Sequence, residues 1–378
     1  VSAAFRVTHE HGRRVVVAVE GDGVGQGSGR VAVATYDLGS AVPALEAPKP
    51  YLHPLRTLSG ALVSAYRPHD HRWHKGLQMT VSHLDDQNFW GGYSYRHGEG
   101  YVPVDNVGRM RHDGFAAIRA GDAEVCLVEE LTWVTAAGED WISERRELRW
   151  HGLDVERGTW TLDFATELRN VRGADLHVGS PTTHGRPDAG YTGFFWRGPR
   201  GFTGGEVLLA DPGAPAEPMG ASSPWPADTG QHDEVDGGAT LLFFAGTSSA
   251  PVPLRWFVRR EPFPAVNPSP AFSEEVTVAP GDSLGLRHRV VVADRPWDRA
   301  EVEAFVAEHA LRAGAAAARG RGADRLVGLS VGNRGRAARR VAAPAPVLLG
   351  GLRRGRRSRS AADPRPGRRR RGGAARRG

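Results

Sequence analysis

Short apolar and β-branched runs, separated by Gly, Pro and Asp turns, recur from Phe5 to Val292, and almost none has helical spacing. The pattern predicts an all-β body. Its clearest strands are Arg14 to Val19, Arg30 to Tyr36, Glu124 to Val134, Trp141 to Trp150, Thr159 to Leu168, Thr240 to Ala245 and Leu284 to Val292. In Thr159 to Leu168 the alternation is cleanest: Trp160, Leu162, Phe164 and Leu168 point one way, and Thr161, Asp163 and Glu167 the other. One face is core and one is wet. Long antiparallel strands of this kind predict stacked sheets, a β-sandwich or supersandwich.

One helix stands out, Pro296 to about Arg312, with Asp298 as its N-cap and Val302, Phe305, Val306 and His309 along one side. It closes the domain. Five prolines between Asp211 and Gly230 predict a long loop. Glu274 to Ala293 reads as a hairpin about the Pro280-Gly281-Asp282 turn. The stretch Gly21 to Gly29 lacks the spacing of a nucleotide-binding loop and lies between two strands, so it reads as a hairpin loop.

Charge divides the chain. Overall there are 49 Lys+Arg against 43 Asp+Glu, but residues 311–378 hold 20 Arg and only 2 acids. That leaves 29 bases and 41 acids in residues 1–310, an acidic body under a basic tail. The tail is mostly Arg, Ala and Gly with no aromatic residue, and it reads as disordered or as a frameshifted terminus. Without aromatics to stack on bases, it makes nucleic acid an unlikely partner. The domain division expected is therefore 1–310 as one β domain and 311–378 as tail. A single cysteine, Cys126, excludes a disulfide framework and a Cys-rich zinc site; no 18-residue apolar window exists. No signal-peptide pattern opens the chain, and a cytoplasmic protein is expected.

The densest polar constellation is Arg67-Pro68-His69-Asp70-His71-Arg72-Trp73-His74-Lys75-Gly76-Leu77, with His53-Pro54-Leu55-Arg56-Thr57 upstream and Asn88-Phe89-Trp90-Gly91-Gly92 downstream. Imidazoles, guanidiniums and indoles set in turns between strands read as a pocket wall for a polar ligand with flat faces. The expected ligand contacts are His53, Arg56, Arg67, Asp70, Trp73 and Trp90, with His71 and His74 as proton-transfer groups. A metal on His69, His71 and His74 is the competing use, opposed by the neighbouring Arg72 and Lys75. A second cluster, Ser180 to Gly198, contributes His184 and Arg186. A third, Arg259 to Pro268, contributes Glu261, which follows the apolar strand Leu254 to Val258 and precedes a proline-fixed loop. Structural roles compete for each of these: a turn for His184 and Arg186, a salt bridge for Glu261. No nucleophile motif appears, and no cofactor is implied.

At His53 to Thr57, Arg67 to Leu77, Asn88 to Gly91 and Ser180 to Gly198, above all the Asp70-His71-x-x-His74-x-Gly76-Leu77 motif, the sequence resembles the bacterial PmoA-like family of unknown function, whose members have been labelled "methane oxygenase PmoA". The resemblance spans about residues 5–310 and implies one β domain, often linked with sugar-metabolising oxidoreductases. The stretch Glu261-Pro262-Phe263-Pro264-Ala265-Val266-Asn267-Pro268, followed by Ala279-Pro280-Gly281-Asp282, is similar to the end of aldose 1-epimerases. That implies a galactose mutarotase-like supersandwich with Glu261 as catalytic base. The epimerase stretch that carries the catalytic acid is not found, which leaves His184, His71 or His74 for that role.

These readings converge on a carbohydrate-active protein using Glu261 and a histidine for epimerase, lyase or hydrolase chemistry on a sugar or oxidised sugar. The alternatives are a non-catalytic sugar-binding module and a His-ligated metal oxygenase.

Overall fold

In the computed structural model, residues 2–39, 41–211, 218–233 and 235–309 are described. The tail expected at 311–378 lies outside them. Two eight-stranded antiparallel sheets dominate. The first runs in the order Ala4–Glu10, Arg14–Glu20, Arg30–Asp37, Tyr51–Leu55, Leu77–Thr80, Gly193–Arg197, Ala265–Ser269, Arg255–Arg259. The second runs Val207–Leu209, Pro226–Gln231, Gly238–Ser248, Ser283–Ala293, Thr159–Asn170, Asp140–Asp154, Val125–Val134, Arg109–Ala120. All seven predicted strands lie within these sheets.

The sheets stack through one shared core. Phe194 and Trp196 of the first sheet meet Phe164 and Phe243 of the second at ring-centroid distances of 5.0 and 5.5 Å. Trp160, Leu162, Phe164 and Leu168 all join this core, as their alternation requires. Five tryptophans, Trp133, Trp150, Trp160, Trp196 and Trp256, are fully buried; each withdraws about 200 Å² from water, worth about 5 kcal/mol before conformational costs. The architecture is a mostly β, antiparallel sandwich.

Polar side chains also enter the core, and they do so as a matched set. Glu144 accepts from Arg146 Nε and Nη2, from Trp133 Nε1 and from Thr166 Oγ1 at 2.7–2.9 Å. Arg146 Nη1 donates to Tyr36 Oη at 2.9 Å, and Tyr36 donates in turn to Glu129. Each member is satisfied by another, which is what permits charge between the sheets.

Both outer faces carry a further layer. Residues 299–309 form the C-terminal helix, whose Val302 and Phe305 pack with Trp225, Leu242 and Val291 on the second sheet. Asp298 caps it reciprocally: Glu301 N donates to Asp298 Oδ1 and Asp298 N to Glu301 Oε2. On the first sheet, Phe195 points away from Phe194 and Trp196 into a separate cluster with Trp90, Phe263 and Ala265. Gly193–Arg197 is buried along its whole length because it is covered on both sides.

Two expectations need correction. The proline-rich loop ends earlier than expected, since Pro226–Gln231 is a buried strand paired on both sides; Pro226 can stand at its first position. Val276–Val278 does not form a hairpin with Ser283–Ala293. It pairs with Leu176–Gly179 in a three-stranded sheet, and the turn at Pro280 to Asp282 carries the chain from one sheet to another.

Candidate functional site

The turn from Arg67 to Gly76 leaves the strand Tyr51–Leu55 side of the first sheet and re-enters it at Leu77–Thr80. It is closed by Arg67 N donating to His74 O, His71 N to Pro68 O and His74 N to His71 O, at 2.9–3.0 Å. Arg67 stands in left-handed backbone, φ 46°, and its guanidinium grips Glu46 through Nε and Nη2. Gly76 is required at the exit. Its φ is 59°, and a Cβ there would come within 2.1 Å of Leu52 O. The same buried Glu46 pairs with Lys75 at 3.3 Å, so the turn is clamped at both ends.

A second turn brings in the indole of Trp90. Asn88 Oδ1 accepts from the amides of Trp90 and Gly91 at 2.9 Å, and buried Lys49 donates to the carbonyls of Ala47, Phe89 and Trp90 at 3.0 Å each. Trp73 then lies flat on Gly92: a Cβ at that residue, whose φ is 71°, would meet the indole ring at 2.7 Å.

Between these turns and the outer face of the first sheet lies a cavity of about 340 Å³. Fourteen residues line it and eight are aromatic, among them Trp73, Trp90, Tyr191, Phe195, Phe257 and Phe263. Asp70, His71 and His74 line it from the first turn; Arg186 and Arg259 supply guanidiniums from elsewhere. The size falls within the range of about 300–1,000 Å³ typical of small-ligand sites.

His71 and His74 stack with ring centroids 4.8 Å apart. Burial lowers the pKa of His71, and although Asp70 pulls it back, Arg197 and Arg200 push it down. Burial also holds His74 well below the usual imidazole range, helped by His71 and Arg197. Both rings are neutral at pH 7. His74 Nδ1 lies 3.1 Å from Arg197 Nη1, and a guanidinium can only donate, so Nδ1 accepts and the proton sits on Nε2. His71 Nδ1 lies 3.2 Å from Asp70 Oδ2 but makes no hydrogen bond, so its tautomer is not fixed by a partner as that of His74 is. Burial alone would raise Asp70, but Arg200 Nη2 at 2.5 Å and its own turn amide hold the carboxyl far below the carboxylate range.

Of the residues singled out in the sequence, Asp70, His71, Trp73, His74, Trp90 and Arg186 meet at this cavity. The others do not. Glu261 is exposed in the turn between Arg255–Arg259 and Ala265–Ser269; the chain touches the cavity at Arg259 and Phe263 and swings outward between them. His184 is stacked on His83 at 4.1 Å and donates through Nδ1 to Ser180 O, which makes it a loop-fixing residue. His53 contacts Ser64 Oγ at 2.8 Å and stacks on Tyr66, and burial lowers its pKa to about 4. Arg56 donates to Gly60 O, and Arg67 is committed to Glu46.

Sequence reasoning assigned no ligand contact to Tyr191, Phe195, Phe263, Tyr93, Tyr101, Phe257 or Arg259, although Arg259 opens the third cluster. For the last two a signal existed: in Arg255–Arg259, Trp256 and Val258 face the core, so Phe257 and Arg259 must face outward, where an aromatic calls for a cover. Tyr101 comes from the short strand Gly100–Val102, and nothing in its local pattern ties it to Tyr191, its hydroxyl partner 90 residues away. Among the described residues, no group of three or more His, Cys, Asp or Glu side chains is placed to hold a metal ion. His69 is exposed, and His74 turns Nδ1 to a guanidinium. No helix among the described residues is long and apolar enough to cross a membrane.

Fold and site together define an antiparallel β-sandwich protein with an aromatic-walled cavity on the outer face of one sheet. Residues 26–307 match a family of unknown function, DUF6807, and the chain belongs to that family. The matched span contains every residue of the cavity wall. No curated protein matches the chain.

Proposed function

We propose that the cavity binds a small carbohydrate and that His71 and His74 move protons on it. The observation that carries this reading is the wall itself: eight aromatic rings surround a patch where Asp70, His71 and His74 come from one turn. Sugars offer this combination a match, with apolar C–H faces for indoles and phenyl rings and hydroxyls for the imidazoles. Neutral His71, set beside Asp70, acts as base; His74, with its proton on Nε2, acts as hydrogen-bond donor and acid. Interconversion or elimination at a sugar carbon needs such a pair.

The likeness of Glu261 to Pro268 to aldose 1-epimerases lends support to the sugar class but not to its base, because Glu261 lies outside the wall. The PmoA-like resemblance rests on Asp70 to Leu77, the turn that supplies the polar patch. A non-catalytic sugar-binding module is the second reading, favoured by the commitment of Asp70 to Arg200. We propose a cytoplasmic location, with which a single, buried Cys126 is compatible.

Tryptophan-fluorescence titration against a panel of aldoses and sugar acids, followed by NMR of the bound sugar, separates these readings. Catalysis predicts turnover that falls at least about 100-fold in His71→Asn while binding persists, with Glu261→Gln unchanged. Binding without turnover selects the second reading. Failure of every sugar to bind removes both.

A further inference from the structure

The charge on the cavity wall is lopsided, in a body where acids outnumber bases. Arg186 and Arg259 both line the cavity, and neither has a carboxylate within 4.0 Å among the described residues. Arg186 spends one donor on Tyr101 Oη and lies 4.9 Å over that ring. Arg259 lies 5.5 Å over the ring of Phe257 and donates no side-chain hydrogen bond to the described protein. A guanidinium has five N–H donors, so most of the donor capacity at this wall is unspent.

The one lining acid cannot neutralise them, since Asp70 is engaged by Arg200 at 2.5 Å. Beneath His74 the imbalance deepens. Arg197 is fully buried, its guanidinium stacks 3.4 Å from the centroid of Phe263, and its Nη2 has no hydrogen-bond partner. Burial and the nearby Arg200 lower its pKa only to about 10, so it stays charged at pH 7. Four guanidiniums at or next to the wall thus face a single carboxylate. Two aligned donors on a fork favour planar or tetrahedral oxyanions, and an apolar wall strengthens the attraction by excluding water.

We propose that the ligand of this cavity is an anionic sugar, whose carboxylate or phosphate is clamped by Arg186 and Arg259 while its ring stacks on the aromatic wall. The inference rests on the sugar-binding reading above and names its substrate class. A sugar acid and a sugar phosphate present the same oxyanion chemistry to the clamp. Arg197 is not placed in the clamp; it supplies the positive field under the floor and orients His74.

The test is calorimetric titration of the full chain with three probes of one stereochemistry: a neutral hexose, the corresponding hexuronate and the hexose 6-phosphate. Benzoate serves as a fourth, non-sugar anion. The expected result is at least tenfold tighter binding of one anionic sugar than of the neutral hexose, and which anion wins identifies the source of the oxyanion. In Arg259→Met and Arg186→Met the anionic-to-neutral affinity ratio should fall at least tenfold, and Arg259→Lys should recover part of it. Equal affinity for neutral and anionic sugars, or a ratio unchanged in both Met variants, overturns the anion clamp while leaving the sugar reading intact. Arginine-dependent binding of benzoate with no sugar bound leaves the clamp and overturns the sugar. No binding of any probe overturns both.

Discussion

Trp73 and Gly92 show how narrowly the cavity wall is determined at the scale of single residues. The indole rests on a position that can carry no Cβ, in backbone that only glycine adopts freely. Gly92→Ala is expected to cost about 1–3 kcal/mol through overpacking and strain and, on the proposed sugar-binding function, to weaken binding by more than that loss explains, because Trp73 must leave its seat. Thermal melts and titrations of the same variant check this; binding that survives unchanged would show that Trp73 is not a platform. The Asn88-Phe89-Trp90-Gly91-Gly92 run announced such a site by its composition. Its reason did not show, because Asn88 acts by accepting two local amides and Lys49 by reaching carbonyls of residues about 40 positions away. Glu261 is the opposite case: a carboxylate after a strand looks poised, yet strand position does not say on which side of a turn it emerges, and here it is exposed and off the cavity wall.

At the scale of elements, period-two alternation located the strands and even the inner face of Thr159–Asn170, since a sheet with one dry side must repeat every two residues. It could not reveal that the first sheet is dry on both sides around Phe195. Nor could it reveal charged residues at inward positions of Asp140–Asp154, where Glu144 and Arg146 occupy the phase of Ile142, Leu148 and Trp150. These two read locally as a wet stretch. Their burial is tolerable only because Trp133, Thr166 and Tyr36 arrive from other strands to complete the set. Glu144→Gln should therefore destabilise the fold by about 3–5 kcal/mol, the cost of leaving Arg146 uncompensated. Replacing Glu144 and Arg146 together by Gln and Met should cost less than the single change. Chemical denaturation of both variants decides it; a milder single than double variant would mean the ion pair is not the unit of stability.

For the whole molecule the most direct consequence of burial is a pH dependence. His53, His83 and His288 are held at about 4 by burial, against an ordinary imidazole value of 6.5. The unfolded chain takes up protons at these rings as pH falls below 6.5, whereas the folded chain does not until about 4. Stability is therefore full above 6.5 and is lost progressively between 6.5 and 4, by a few kcal/mol at most for each ring. Asp228 opposes them, because burial raises its carboxyl to about 7 and its contribution is lost as pH rises through that value. With three imidazoles against one carboxyl, the melting temperature should drop by several degrees from pH 6.5 to 4.5, and His288→Phe should flatten the slope; a melting temperature constant over that interval would contradict it. By itself the sequence determined the class of fold, the capped C-terminal helix and the turn that supplies Asp70, His71, Trp73 and His74, because alternation, capping and turn chemistry are set by neighbours in the chain. Only the tertiary structure decided that Glu261 and His184 stand apart from that turn, that Phe257 and Arg259 share a cavity with it, and that Arg186 and Arg259 have no carboxylate partner there among the described residues. Each of those depends on which face of which sheet a strand presents, and that is settled by packing between segments far apart in the chain.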